Sequence, residues 1–143
     1  MSFWHIMFGF RGRVRRLTYF GFGLLAFVLL AVPVAVGLML AGEGEDVIGN
    51  LLIVVGLVIG GWSGLALMVK RLHDFGASGW WALAVYATYA LPELTNTPAL
   101  KLILSLIGLV VALVILFKRG TEGMNRFGPQ PIGGGQFAVA STT

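Results

Sequence analysis

Four ionisable side chains crowd into five positions, Lys70, Arg71, His73 and Asp74, within the stretch VKRLHDFGASGWWAL at 69–83. An imidazole next to a carboxylate is raw material for general acid–base catalysis, which also needs an orienting partner and a substrate within hydrogen-bond reach. Zinc chemistry needs three or more ligands. The chain offers two histidines, His5 and His73, and no cysteine. Ser63, Ser78 and Ser105 lie in apolar or turn context with no base beside them in sequence. Charged clusters of this kind are more often structural than catalytic. The residues therefore read as a polar cap on helix ends, with Asp74 pairing to an arginine and Trp80 and Trp81 seated at headgroup level. No catalytic, metal or cofactor role is assigned.

The elements that position this cluster follow from composition. Of 143 residues, 57% are hydrophobic and 11% charged, and the mean hydropathy is +0.90. A soluble domain carries about a quarter charged residues. A chain this apolar cannot hide its hydrocarbon inside a small water-facing surface and must be solvated by lipid. The formal net charge of +4 fits the orienting cations of a membrane protein better than nucleic-acid binding.

The first apolar run, residues 17–41, contains Pro33. At 1.5 Å per residue it reaches about 38 Å, enough to cross a hydrocarbon core of about 30 Å. The acidic GEGED at 42–46 links it to a second helix over 47–69, with Asp46 as its N-cap, and so short a link implies an antiparallel hairpin. A third helix over 79–91 reaches only about 20 Å, short of a full span. PELTNTP at 92–98 is turn chemistry, with Thr97-Pro98 as N-cap and first-turn proline. The fourth helix, 99–117, ends in Lys118, Arg119 and a capping Gly120. The expected architecture is all-α, four transmembrane helices in two antiparallel hairpins with a short third helix. Residues 1–16 form a basic amphipathic segment, 17–117 the membrane domain and 118–143 a polar tail, disordered from about 133.

Nine of the ten Lys and Arg fall in three segments: Arg11, Arg13, Arg15 and Arg16; Lys70 and Arg71; Lys118, Arg119 and Arg126. In a four-helix topology these share one side, while Glu43, Glu45, Asp46 and Glu93 lie opposite. The positive-inside rule then places both termini in the cytoplasm of a multi-pass protein. The apolar cores 17–41, 47–69, 79–91 and 102–117 contain no Asp, Glu, Lys, Arg or His, which argues against an ion-coupled carrier.

Gly56, Gly60 and Gly64 recur at four-residue spacing on the second helix, and Gly108 with Ala112 does the same on the fourth. Such stripes let helix backbones approach closely in lipid. Packing within one bundle is favoured over homodimerisation. The N-terminal MSFWHIMFGFRGRVRR sets aromatic and aliphatic residues ahead of four arginines, as in a helix lying in the membrane interface.

Three blocks taken together carry a resemblance: GRVRRLTYF, KRLHDFGASGWWAL and RGTEGMNRFGPQP. Their order and spacing resemble those of the YhaH-type bacterial inner-membrane proteins, domain of unknown function family 805. The resemblance covers about residues 8–131 and implies a four-helix inner-membrane protein with cytoplasmic termini. It marks Arg13, Arg16, Tyr19, Arg71, His73, Asp74, Trp80, Trp81 and Asn125 as a polar and aromatic cluster. Because the topology puts all three blocks on one side, the NRFGPQP tail is expected to fold back onto the 70–81 insert and the N-terminal arginines, with Asp74 as the main counter-charge.

The combined reading is a non-enzymatic inner-membrane protein whose basic cluster binds a partner or an anionic lipid headgroup. The alternative is a small membrane enzyme or transporter acting on a headgroup-like substrate at the same face. Membrane lipids are the expected partners, with a second copy of the chain or another protein next and nucleic acid excluded.

Overall fold

A computed structural model describes residues 2–131, and the tail expected to be disordered from about 133 lies outside them. Five helices follow in order: α1 Phe3–Phe8, α2 Arg16–Gly42, α3 Asp46–Asp74, α4 Trp81–Leu94 and α5 Pro98–Phe117. There is no strand among the described residues, only a bridge between Asn125 and Gly128. Three helices, α2, α3 and α5, are long and apolar enough to cross a membrane. In the most apolar stretch of α2, and likewise of α5, only 11% of the residues are buried within the protein. Side chains such as Leu24, Phe27, Leu38, Leu106 and Leu113 therefore face outward, where only hydrocarbon is a suitable solvent.

Several boundaries differ from the sequence expectation for physical reasons. The helix expected to stop at 69 runs on through Lys70 and Arg71 to Asp74. The two cations do not end it, because both side chains are buried, at 0% exposure. Asp46 is the first helical residue, an anion in the first turn, and does not cap from outside. α4 continues past Pro92, which is buried in its last turn, to Leu94. Gly120 is not the cap of α5; Lys118 is.

The chain forms two compact units, and the division falls inside α3. One comprises the described residues up to Phe10 with Leu17–Leu67; the other comprises Arg11–Arg16 with the described residues from Met68 onward. In the first unit, Ser2 accepts from the His5 amide and caps α1. Met7 of α1 is fully buried with Ala26 and Leu67, and Ile6, Phe8, Tyr19, Phe22, Leu25 and Leu29 pack around them. The Trp62 indole donates to the Phe8 carbonyl at 3.2 Å.

Glycines set how closely α2 and α3 approach. A Cβ on Gly60 would overlap Leu30, and one on Gly56 would lie 2.9 Å from the Leu30 carbonyl oxygen. A Cβ on Gly49 would lie 2.6 Å from the carbonyl of Gly37. Gly56 and Gly60 thus allow close approach of the two helices inside this unit. In the second unit, α4 packs on α5, and Gly108 of α5 is buried.

Candidate functional site

The second unit holds the charged residues that the sequence singles out. Asp74 ends α3, and its carboxylate lies between two guanidiniums, 3.0 Å from Arg13 Nη2 and 2.7 Å from Arg71 Nη1. All three side chains are buried, at 1%, 0% and 6% exposure for Arg13, Arg71 and Asp74. Arg71 and Asp74 sit three residues apart on one helix face, whereas Arg13 arrives from a segment sixty-one positions earlier.

Two guanidiniums against one carboxylate leave an excess positive charge, and backbone carbonyls absorb it. Arg71 donates to the carbonyls of Ile115 at 2.9 Å and Leu116 at 3.4 Å, to that of Lys118, and to Val14 at 3.4 Å. The first three belong to the C-terminal end of α5, where carbonyls lack helical partners and the helix dipole is negative. Arg13 donates to Gly123 at 2.8 Å, to Gly128 at 3.3 Å and to Thr121. A planar guanidinium can donate to several carbonyls at once as a lysine could not.

The 120–131 segment then folds over the end of α3. Thr121 donates to the Asp74 carbonyl through its amide at 2.8 Å and its hydroxyl at 3.1 Å. Asn125 donates to the His73 carbonyl at 3.0 Å and accepts from the Phe127 amide at 2.9 Å, closing an Asx turn. Arg126 donates to the Gly76 carbonyl at 2.8 Å. The Phe127 ring stacks on His73, with centroids 3.9 Å apart and planes within 9°. His73 Nδ1 lies 3.3 Å from the Gly12 carbonyl oxygen. Gly120 passes so close to Asp74 that any Cβ there would fall inside the carboxylate.

The structure therefore brings together Arg13, Arg71, His73, Asp74 and Asn125. Arg16 lies at the edge of this group, exposed, and donates to the Phe117 carbonyl at 3.4 Å. Trp80 and Trp81, at 79% and 62% exposure, stand outside the buried network. Tyr19 belongs to the apolar cluster around Met7 in the other unit. Thr121 and Phe127 are essential to the geometry yet were not singled out as individual residues, and Gly120 was read only as a helix cap, since nothing in their local sequence names the partner. Phe75 adds a cationic contact, its ring centroid 4.6 Å from the Arg71 guanidinium carbon and 5.2 Å from Lys118 Nζ.

Chemically, this arrangement encloses the Asp74 carboxylate between two guanidiniums, away from solvent, and spends the imidazole on stacking. The exposed cations of the same segments are Arg11, Arg15, Arg16, Lys118, Arg119 and Arg126.

With no strand among the described residues and three helices long and apolar enough to cross a membrane, the chain belongs among integral membrane proteins. The chain is a member of the family described as Protein of unknown function (DUF805), whose model matches residues 7–129. It is 31% identical over 125 residues to the inner membrane protein YhaH of Escherichia coli (strain K12), covering 86% of this chain and 87% of that one. It is 32% identical over 123 residues to the inner membrane protein YhaI of the same strain, covering 86% of each. No solved structure matches it.

Proposed function

We propose that the protein crosses the inner membrane four times, in two antiparallel hairpins, and binds anionic lipid headgroups with exposed cations at its cytoplasmic end. The four crossings rest on parity. The ends of α3 and α5 meet, since Arg71 donates to the last carbonyls of α5. If both helices span, α4 must carry the chain back across. Its 14 residues reach about 21 Å, so the flanking residues and local thinning of the bilayer make up the difference. Orientation then follows from the nine cations of the three converging segments.

One observation carries the binding reading. Arg13 and Arg71 are consumed inside the fold, while Arg11, Arg15, Arg16, Lys118, Arg119 and Arg126 are exposed around it. Glu122 is the one exposed acid in those segments. Each such cation contributes about 1 kcal/mol of attraction to an anionic membrane surface. The binding face is therefore the exposed rim and not the guanidiniums of Arg13 and Arg71.

Native mass spectrometry from mild detergent tests this. Phosphatidylglycerol should be retained in preference to phosphatidylcholine. Replacing Arg15, Arg16, Lys118 and Arg119 together by glutamine should reduce that retention at least about tenfold. Equal retention of the two lipids by the unaltered protein would overturn the proposal.

A further inference from the structure

We infer that the groove between α1 and α2 seats one acyl chain of a phospholipid from the cytoplasmic leaflet. This deepens the lipid reading above, on which it rests for the leaflet, by naming the part of the lipid that the fold itself accommodates.

Phe3 of α1 and Leu17, Thr18, Gly21, Phe22 and Leu25 of α2 line this groove, whose volume is about 450 Å³, within the ordinary range for a small-molecule site. Positions 17, 18, 21, 22 and 25 follow the helical period and form one face of α2. Phe3 lies against that face, its ring centroid 5.8 Å from that of Phe22. Burial of Met7 with Ala26 and Leu67 holds α1 in place, so the wall belongs to the folded unit. Gly21 supplies the floor. A Cβ there would meet nothing within 4 Å, which leaves open space over its backbone.

The surroundings decide the occupant. Leu24 and Val28, on the same side of α2 as Gly21, are exposed, so the groove is continuous with the hydrocarbon-facing surface of that helix. From Leu17 to Leu25 it runs about 12 Å along α2, against about 15 Å for one leaflet's half of the hydrocarbon core. That length suits a single acyl chain. The groove starts at the residue after Arg16, so the headgroup of the seated lipid lies at the basic end of α2. A chain in the groove meets protein on two sides, whereas one lying on a convex helix meets it on one. Dispersion contacts are small singly and large in sum, which retains this lipid while its neighbours exchange.

Phosphatidylglycerol carrying a photoactivatable diazirine in its acyl chain tests this in nanodiscs that hold the full chain. Crosslinks located by mass spectrometry should concentrate on Phe3 and residues 17–25, above those on Leu106 and Leu113, which are exposed on α5. Gly21→Leu fills the groove and should cut these crosslinks about tenfold, the worth of burying one aliphatic side chain. Gly23→Leu adds the same side chain at an open position of α2 outside the groove and should leave them unchanged. Neither variant should melt below the unaltered protein. If Gly21→Leu does not fold, the distribution of crosslinks in the unaltered protein still decides. Equal groove crosslinking from phosphatidylcholine with the same chain upholds the groove and counts against the headgroup preference. Crosslinks spread evenly over α2 and α5, or undiminished by Gly21→Leu, overturn the inference; preferential retention of phosphatidylglycerol would then leave the headgroup reading standing. A dimer mass lost in Gly21→Leu, with no groove crosslinks, assigns the groove to a second copy and also overturns it.

Discussion

Asp74 and Arg13 meet at 3.0 Å, both buried, although sixty-one positions separate them in the chain. With Arg71 on the other side of the carboxylate, this pairing ties the N-terminal loop to the end of α3. The carbonyls that Arg13 and Arg71 also reach add the end of α5 and the 120–131 segment. A buried ion pair need not outperform a well-packed apolar substitute, but removing one partner leaves an uncompensated charge.

Asp74→Asn should therefore cost about 3–5 kcal/mol, the usual cost of breaking a buried pair from one side. Glu43→Gln, at an exposed loop position, should stay within about 0.5 kcal/mol. Thermal unfolding of the two variants in the same detergent compares them. Equal effects would remove the keystone role of Asp74.

Gly120→Ala should be severe for a steric reason, since the added methyl would occupy the space of the Asp74 carboxylate. Overpacking of this kind costs about 1–3 kcal/mol. Gly21→Ala, with nothing within 4 Å of its Cβ position, is the matched control and should be neutral or mildly stabilising, as expected for a helix interior. Melting temperatures of the pair give the comparison.

The glycine stripe makes the same kind of prediction for the first unit. Gly60→Ala should force α2 away from α3 at Leu30 and lower stability by about 1–3 kcal/mol. Neighbouring Gly61→Ala meets nothing within 4 Å and should be tolerated. A shift in oligomeric mass with no loss of stability in Gly60→Ala would mean that the stripe joins two copies instead.

Asn125 and Phe127 hold the 120–131 segment by different means, one by hydrogen bonds and one by stacking on His73. Asn125→Ala should cost about 1–2 kcal/mol and Phe127→Leu about 0.5–1.5 kcal/mol. Chemical denaturation in detergent measures both. A near-zero effect of both would mean that the 120–131 segment is not seated on α3.

Much of the fold is legible in the sequence because lipid demands long apolar runs. The runs at 17–41 and 99–117 lie within a residue of α2 and α5 at each end. The end of α3 was not legible. Lys70 and Arg71 resemble a helix stop, yet both are buried, Arg71 against the Val14 loop and the end of α5, and the helix continues to Asp74. Pro92 misled in the same way, since a proline in a last turn removes an amide without ending the helix. At the site, Asp74 stands out as the counter-charge because its neighbourhood is so basic. The approach of Gly120 and the stacking of Phe127 leave no trace in local sequence, since both depend on contacts formed only in three dimensions.

The central claim is that the joined ends of α3 and α5 lie on the cytoplasmic side, which requires α4 to cross. The chain has no cysteine, so single cysteines at Glu45 and Glu122 can be labelled one at a time in intact cells and again after permeabilisation. The account predicts that Glu45→Cys reacts from outside and Glu122→Cys only once the inner membrane is breached. Labelling of both from the same side would contradict it.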